Sequence, residues 1–221
     1  MRTFGIVFDF DGVLADTERV HLRAYQEAFA PRGWTLDETA YFTRYLGYND
    51  DDLLVQYAQD RGLSLDAAAR RALLDAKTAV FENAIDNAQL LYPRAAETAR
   101  ALAARFPLAI ASGSRRAEIV KILKGAGLAD AFHLIVSADD VVNGKPAPDG
   151  YLAAALGLGI EPSRCLAIED THWGITAARV AGLKTVAVTT TSPASALSAA
   201  DRIVDRIDDV TIELVESLLR T

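Results

Sequence analysis

The feature that most constrains the fold is an alternation of short apolar runs with amphipathic segments beyond Tyr92. The apolar runs lie at 108–111, 134–136, 165–168, 185–188 and 203–204. The amphipathic segments that flank them lie near 95–104, 117–125, 150–158, 174–181 and 210–219. Strands that alternate with helices in this way predict a parallel sheet covered by helices on both faces, and therefore an α/β protein.

A long helical stretch interrupts this pattern early in the chain. The first apolar run lies at 4–8, but the next comparable one begins only at Leu108, and the residues between them have helical patterns. Asn49 followed by three aspartates is typical of a helix N-terminus, because a capping side chain and negative charge both stabilise that end. We therefore predict an α/β core formed by 1–15 and 88–221, with an α-helical cap domain inserted at 16–87.

Composition narrows the class of function. Hydrophobic residues make up 51% of the 221 residues, which is enough for a sizeable core. The net charge of −7 argues against nucleic acid or an anionic membrane as a partner. Cys165 is the single cysteine and lies in an apolar run, so we interpret it as a buried residue. Without a signal-peptide pattern or a membrane-spanning run, we expect a cytoplasmic protein, and we expect it to be a monomer.

Polar residues follow several of the predicted strands where each strand ends. They are Asp9, Asp11 and Gly12 after the first run, Ser112, Gly113 and Ser114 after the second, Lys145 in a loop with two prolines, and Glu169 and Asp170 after the run that begins at Cys165. Buried acids are costly unless a cation compensates them, and oxygen ligands suit magnesium or calcium. A Ser-Gly-Ser turn before a helix can hold an anion. Because parallel strands end at one edge of a sheet, we predict a joint site for a phosphoryl group and a hard cation.

Each of these motifs alone also has an ordinary structural interpretation. The first acids could cap the following turn, Ser-Gly-Ser turns are common, and a lone lysine is most often solvated. Glu169 and Asp170 could equally be acids at a helix N-terminus. The hypothesis of a single site therefore depends on all the groups occurring together, each after a strand.

Taken together, the residues resemble the four motifs of the haloacid dehalogenase-like phosphotransferase superfamily. These motifs stand here as DFDGVLADTE, ASGS, GKPAPDGY and IEDTHWGITAARVAG. The resemblance covers nearly the whole chain and is closest to the β-phosphoglucomutase and phosphoglycolate phosphatase (CbbY-like) branch. It implies a Rossmann-like core with a small α-helical cap. The second acid, Asp11, points to phosphoryl transfer, because the dehalogenase branch has one acid in this motif.

The resemblance also implies covalent catalysis. Asp9 is expected to attack phosphorus and form an aspartyl phosphate. Asp11 is expected to protonate the leaving oxygen and then to take a proton from the attacking water. Ser112 and the N–H of Gly113 would hold a non-bridging oxygen, and Lys145 would neutralise both the phosphoryl group and the nucleophile.

The cofactor implied by the resemblance is Mg²⁺. Its expected ligands are the Asp9 carboxylate, the backbone carbonyl of Asp11, and Asp170, with Glu169 as a supporting or water-mediated ligand.

Further residues match positions of the family outside these motifs. Thr17 resembles the hinge of the cap. His21 matches a histidine that orients the acid/base aspartate in the mutase branch, although a polar residue at a domain boundary is an equally good interpretation. Lys77 matches a cap lysine that reaches the sugar and phosphate, yet a solvated helix lysine is the safer prediction. Ser114 and Arg115 match positions that contact a distal phosphate.

The cap loop around Gly47 departs from the mutase pattern. Leu46 stands where the mutases have a lysine, and Asp50 stands where they have an arginine. We expect the run of acids that begins at Asp50 to repel a second phosphate. Tyr48 and Asn49 are then expected to line a pocket for the leaving group.

These features favour a magnesium-dependent phosphomonoesterase. Its substrate would be a small phosphorylated metabolite, such as a sugar phosphate, a polyol phosphate or phosphoglycolate. A β-phosphoglucomutase-like mutase is the first alternative. A non-catalytic protein that binds a phosphorylated metabolite is a lesser one.

Overall fold

The chain forms two compact units in a computed structural model that describes residues 4–85 and 90–220. One unit, here called the helical unit, spans Thr17–Leu90. The other, the α/β unit, comprises Met1–Asp16 and Leu91–Thr221. The first boundary lies next to the predicted start of the insertion at 16, whereas the predicted boundary at 87 and 88 lies outside the described residues.

The helical unit is built from helices α1–α4. Their bounds are Glu18–Phe29 for α1, Glu38–Ala40 for α2, Asp50–Asp60 for α3 and Ala67–Ile85 for α4. Helix α2 continues as a π-helical turn, Tyr41–Tyr45, and α1 packs against α4. Asn49 caps α3, because its side chain accepts a hydrogen bond from the N–H of Asp52 at 2.9 Å. The predicted helix start at Asn49 is therefore confirmed.

The α/β unit contains a parallel sheet, which has six strands in the described part of the chain. They are β1 Gly5–Phe8, β2 Leu108–Ala111, β3 Leu134–Val136, β4 Cys165–Glu169, β5 Lys184–Val188 and β6 Arg202–Val204. The strand order is β3-β2-β1-β4-β5-β6, and all neighbouring pairs are parallel. All strands therefore end at the same edge, and β1 lies between β2 and β4.

Helices α5–α9 complete the α/β unit. Their bounds are Ala95–Ala103, Arg116–Gly125, Asp149–Gly157, His172–Val180 and Ile212–Leu219. Helix α7 packs on β1–β3, and α8 packs on β4 and β5. Val7, which faces this side, and Ile6 and Phe8, which face the other, are all fully buried, so both faces of β1 are covered. The predicted α/β class with a parallel, Rossmann-like sheet is confirmed.

None of the helices in the described residues combines the length and the apolar character needed to cross a bilayer. Cys165 is buried in β4, as predicted, and burial raises the pKa of its thiol to about 11.

Candidate active site

Three buried carboxylates meet where β1 and β4 end. The register of these strands pairs Phe8 with Ile168, so the residues that follow them, Asp9 on one strand and Glu169 and Asp170 on the other, become neighbours. A carboxylate oxygen from each of the three acids lies within 4.8 Å of the others. Such a cluster of oxygen donors suits a hard divalent cation, and the buried negative charge calls for one.

Lys145 supplies positive charge to this cluster. Its Nζ lies 2.7 Å from Asp9 Oδ1 and 2.5 Å from Glu169 Oε1, and its side chain is largely buried. Burial lowers the pKa of Lys145, but the two carboxylates outweigh burial and raise that pKa above its ordinary value. The ammonium group therefore stays charged and bridges the nucleophile candidate to the acid on the neighbouring strand.

Burial changes the pKa of the Asp9 carboxyl more than the attraction of Lys145 does. It holds the pKa of the Asp9 carboxyl well above its ordinary value, although Lys145 acts in the opposite direction. Negative charge on Glu169 and Asp11 adds to the rise. A nucleophilic Asp9 therefore needs all the positive charge that the site can provide.

Glu169 is held at both of its oxygens. Oε1 accepts hydrogen bonds from Lys145 and from the hydroxyl of Tyr151 at 2.8 Å. Oε2 accepts from the N–H groups of Asp170 and Thr171, at 2.9 and 3.0 Å, and from the Thr171 hydroxyl at 3.0 Å. Burial would raise the pKa of Glu169, but Lys145 and these hydrogen bonds outweigh burial and lower it. The contacts favour Glu169 as a residue that positions Lys145, so direct ligation of a metal would have to share its oxygens with these donors.

Two glycines let the acids approach the backbone this closely. Gly12 has φ +79°, and a Cβ there would lie 1.9 Å from Asp170 Oδ2. A Cβ at Gly174, in the first turn of α8, would lie 1.7 Å from Glu169 Oε1. Gly12 was predicted from the sharp turn after the paired acids, but nothing in the sequence analysis singled out Gly174.

Asp11 has different neighbours from Asp9. Its Oδ2 accepts hydrogen bonds from the Ser114 hydroxyl at 2.6 Å and the Ser112 hydroxyl at 3.2 Å. The N–H of Ser114 donates to Ser112 Oγ at 3.0 Å. The structure thus brings Asp11 together with both serines, and the surroundings of Gly113 are open, since a Cβ there would meet nothing within 4 Å. Ser114, predicted to contact a distal phosphate, contacts the acid/base candidate.

Several residues at this edge of the sheet were not predicted as site residues from the sequence. Tyr151 and Thr171 both form hydrogen bonds with Glu169. Each stands inside one of the sequence motifs, so their position was a usable signal for a role at the site. Thr190 donates a hydrogen bond to the carbonyl of Gly12. Thr191 Oγ1 lies 2.6 Å from the position of a Cβ at Gly12. Threonines 189–191 after β5 were the only sequence signal for this contact.

Within the helical unit, Lys77 is not solvated, and the prediction that it would be is wrong. Its side chain is 1% exposed and its Nζ lies 2.9 Å from Asp50. The Tyr25 hydroxyl donates to Asp50 at 2.6 Å. Lys77 lies on the face of α4 that also buries Leu74 and Phe81, which a weakly amphipathic, alanine-rich helix did not reveal.

Two acids of the predicted cap-loop run form ion pairs. Burial would raise the pKa of Asp50, but Lys77 and His21 outweigh burial and lower it, so Asp50 carries a charge that Lys77 compensates. Asp51 lies 3.1 Å from Arg70. Two of the three acids in this run, Asp50 and Asp51, therefore have a cationic partner in the helical unit.

The other predicted residues of the helical unit occupy varied surroundings. His21 is buried and stacks on Phe81, with ring centroids 4.2 Å apart. Thr17 is buried directly before α1. Asn49 uses its side-chain oxygen for the cap of α3, and Tyr48 is 37% exposed. Gly47 has φ +91°, a left-handed conformation that favours glycine.

In the α/β unit, Arg115 directly precedes α6.

Comparison with known proteins places these motifs in a family context. The model of the haloacid dehalogenase-like hydrolases matches residues 5–182. Protein CbbY of Rhodobacter capsulatus is 37% identical over 195 residues, which cover 84% of this chain and 85% of that protein. Fructose-1-phosphate phosphatase YqaB of Escherichia coli is 32% identical, covering 85% of this chain and 97% of that protein.

A beta-phosphoglucomutase and the crystal structure of a second CbbY protein are also similar to this chain. Beta-phosphoglucomutase of Bacillus subtilis is 30% identical, covering 95% of this chain and 92% of that protein. The crystal structure of CbbY from Rhodobacter sphaeroides in complex with phosphate superposes with a TM-score of 0.87 at 26% identity. That superposition covers 97% of this chain and 99% of the other.

Proposed function

Since the chain belongs to the haloacid dehalogenase-like hydrolase family and is similar to phosphatases within it, we propose that it is a magnesium-dependent phosphomonoesterase that uses an aspartyl-phosphate intermediate. The observation that carries the proposal is the arrangement of Asp9. Its carboxylate adjoins Lys145 and the other cluster acids, Glu169 and Asp170, whereas Asp11 lies against two serine hydroxyls.

In the first chemical step, the Asp9 carboxylate attacks phosphorus and the bond from phosphorus to the leaving oxygen breaks. Asp11, in its protonated form, gives its proton to that oxygen, which leaves as an alcohol. Lys145 lowers the repulsion between the nucleophile and the anionic phosphoryl group, because its ammonium already contacts Asp9.

In the second step, water attacks phosphorus and the bond to the Asp9 oxygen breaks. Asp11 takes the proton from this water, so both acids return to their initial state as inorganic phosphate forms. Ser112 and the N–H of Gly113 are proposed to hold a non-bridging oxygen, and the open surroundings of Gly113 leave room for one.

The carboxylate cluster fits Mg²⁺ by its donor type and its close spacing. Asp9 and Asp170 would hold the ion together with the backbone carbonyl of Asp11, and Glu169 would support them from its contact with Lys145. When bound, the ion would supply positive charge for the phosphoryl oxygens.

For the substrate, we propose a sugar or polyol phosphate, with phosphoglycolate as a further candidate. The similarity to a fructose-1-phosphate phosphatase supports this class. A mutase is the second candidate, since a beta-phosphoglucomutase is also a relative. It is less favoured because Asp50 neutralises Lys77, which leaves less positive charge in the helical unit for a second phosphate.

The test is a phosphatase screen with Mg²⁺ over sugar phosphates, polyol phosphates, phosphoglycolate and nucleotides. We expect phosphate release from at least one sugar or polyol phosphate. Asp9→Asn should lower kcat at least about a thousandfold, because the covalent step is lost. Asp130→Asn, at an exposed position of the same unit, is the matched control and should keep the parental rate.

Two results would contradict the proposal. One is an Asp9→Asn variant with parental activity. The other is formation of an isomer from β-glucose 1-phosphate, with a bisphosphate primer, in preference to release of phosphate; this result would favour the mutase.

A further inference from the structure

Tyr151 makes a contact that the proposed chemistry does not yet use. Its hydroxyl lies 2.8 Å from Glu169 Oε1, the same oxygen that accepts from Lys145 at 2.5 Å. A carboxylate oxygen only accepts hydrogen bonds, so tyrosine and lysine both donate to it. The two donors therefore share one acceptor.

Lys145 is in turn shared between two acids. Its Nζ contacts Asp9 Oδ1 at 2.7 Å as well as Glu169 Oε1. Any change in the charge or position of Glu169 Oε1 therefore alters how strongly the ammonium is directed at Asp9. The Nζ also lies 5.4 Å from the centre of the Tyr151 ring, so tyrosine contacts both members of the Glu169–Lys145 pair.

We propose that Tyr151 is a positioning residue that acts through Glu169 to keep Lys145 directed at the nucleophile Asp9. This inference rests on the proposed phosphatase function. With the hydroxyl in place, part of the hydrogen-bonding capacity of Glu169 Oε1 is taken up by tyrosine. Without it, Oε1 would attract the ammonium of Lys145 more strongly, and Asp9 would lose part of its positive partner.

The position of the hydroxyl is determined by packing. Tyr151 is 1% exposed on α7 and packs in the core of the α/β unit with Val7 and Ala154. A phenylalanine would fill nearly the same volume, so core packing alone does not require the hydroxyl. The hydroxyl is thus the part of this residue that the site uses.

The test compares Tyr151→Phe with the parent, using p-nitrophenyl phosphate as substrate and Mg²⁺ in excess. We expect kcat to fall about tenfold, which is the lower end of the loss typical when an outer-shell hydrogen-bond partner is removed from a site. KM should change less than about twofold, because Lys145 acts most strongly on the transition state. Affinity for orthovanadate, which adopts the five-coordinate geometry of phosphoryl transfer, should fall by a similar factor, while affinity for inorganic phosphate stays nearly unchanged.

Tyr57→Phe is the matched control. Tyr57 is also 1% exposed, and its hydroxyl donates to a backbone carbonyl, that of Thr35, at 2.9 Å in the helical unit. It should lower the melting temperature about as much as Tyr151→Phe, with unchanged kcat. The inference is overturned if Tyr151→Phe keeps the parental kcat and vanadate affinity, or if both variants lose activity equally. Absence of turnover in the parent would instead contradict the proposed function.

Discussion

At the scale of single residues, the molecule uses two largely buried lysines in different ways. Lys145 lies between two carboxylates of the candidate active site, Asp9 and Glu169, next to which the proposed phosphoryl group would bind. Lys77 is paired with Asp50, which also accepts a hydrogen bond from Tyr25, so its charge is compensated inside the helical unit. A buried charge is tolerated only with a partner, and the identity of the partner decides what the lysine can do.

The Lys77–Asp50 pair predicts a stability change. Lys77→Met should lower the free energy of unfolding by about 3 kcal/mol at pH 7, because it leaves Asp50 charged and partly buried. Arg71→Met on the same helix is the control, since Arg71 and its partner Asp75 are both exposed, and it should change stability by less than about 0.5 kcal/mol. Urea denaturation measures both.

The contribution of the Lys77–Asp50 pair to stability should depend on pH. Because the pKa of Asp50 is lower in the folded protein than its ordinary value, the pair contributes fully above about pH 4. The contribution disappears as the pH falls further, through the lowered pKa. The stability difference between parent and Lys77→Met should therefore shrink in acid. A difference independent of pH would show that lost packing, and not the ion pair, is responsible.

At the scale of elements, the strands and the motif loops were predictable because their signals are local. Most strands contain a short apolar run, and the acids and serines follow their strands directly, so parallel topology alone brings them to one edge. Lys145 lies further from its strand, in the loop between β3 and α7. The contacts of Lys77 and Gly174 were not predictable. They depend on which face of a helix is buried and on the register between elements, and neither is encoded in neighbouring residues.

Gly174→Ala tests how closely Glu169 packs on α8. Gly174→Ala should raise the helix propensity of α8, yet the added Cβ would lie 1.7 Å from Glu169 Oε1. We expect a net destabilisation of about 1–3 kcal/mol, as for overpacked cores, and a fall in kcat because Glu169 must move away from Lys145. Thermal denaturation and the phosphatase assay measure these effects.

Gly125→Ala is the control for this variant. Gly125 is also helical, at the end of α6, and a Cβ there would meet nothing within 4 Å. It should keep the parental activity and be neutral or slightly stabilising. If Gly174→Ala behaved like Gly125→Ala, the close packing of Glu169 on α8 would not be needed for the site.

At the scale of the whole molecule, the protein and its proposed ligand both carry net negative charge. The protein's net charge is −7, and its site places three carboxylates within 4.8 Å of one another. A phosphate ester is itself an anion, so the ammonium of Lys145 has to offset negative charge from both the site and the ligand. The proposed cation would remove this conflict, because it would compensate the acids and present positive charge to the phosphoryl group.

This conflict predicts how stability depends on the cation. Mg²⁺ at a hundred times its dissociation constant should stabilise the fold by about 2.7 kcal/mol, observed as a rise in melting temperature that EDTA reverses. Asp170→Asn should abolish the rise. Without Mg²⁺ this variant should be at least as stable as the parent, since one of the mutually repelling carboxylates is neutral. Asp130→Asn should respond to Mg²⁺ like the parent. A parent whose melting temperature is insensitive to Mg²⁺ would show that repulsion among the acids is relieved by protonation, which agrees with the raised pKa of Asp9, and not by a bound cation.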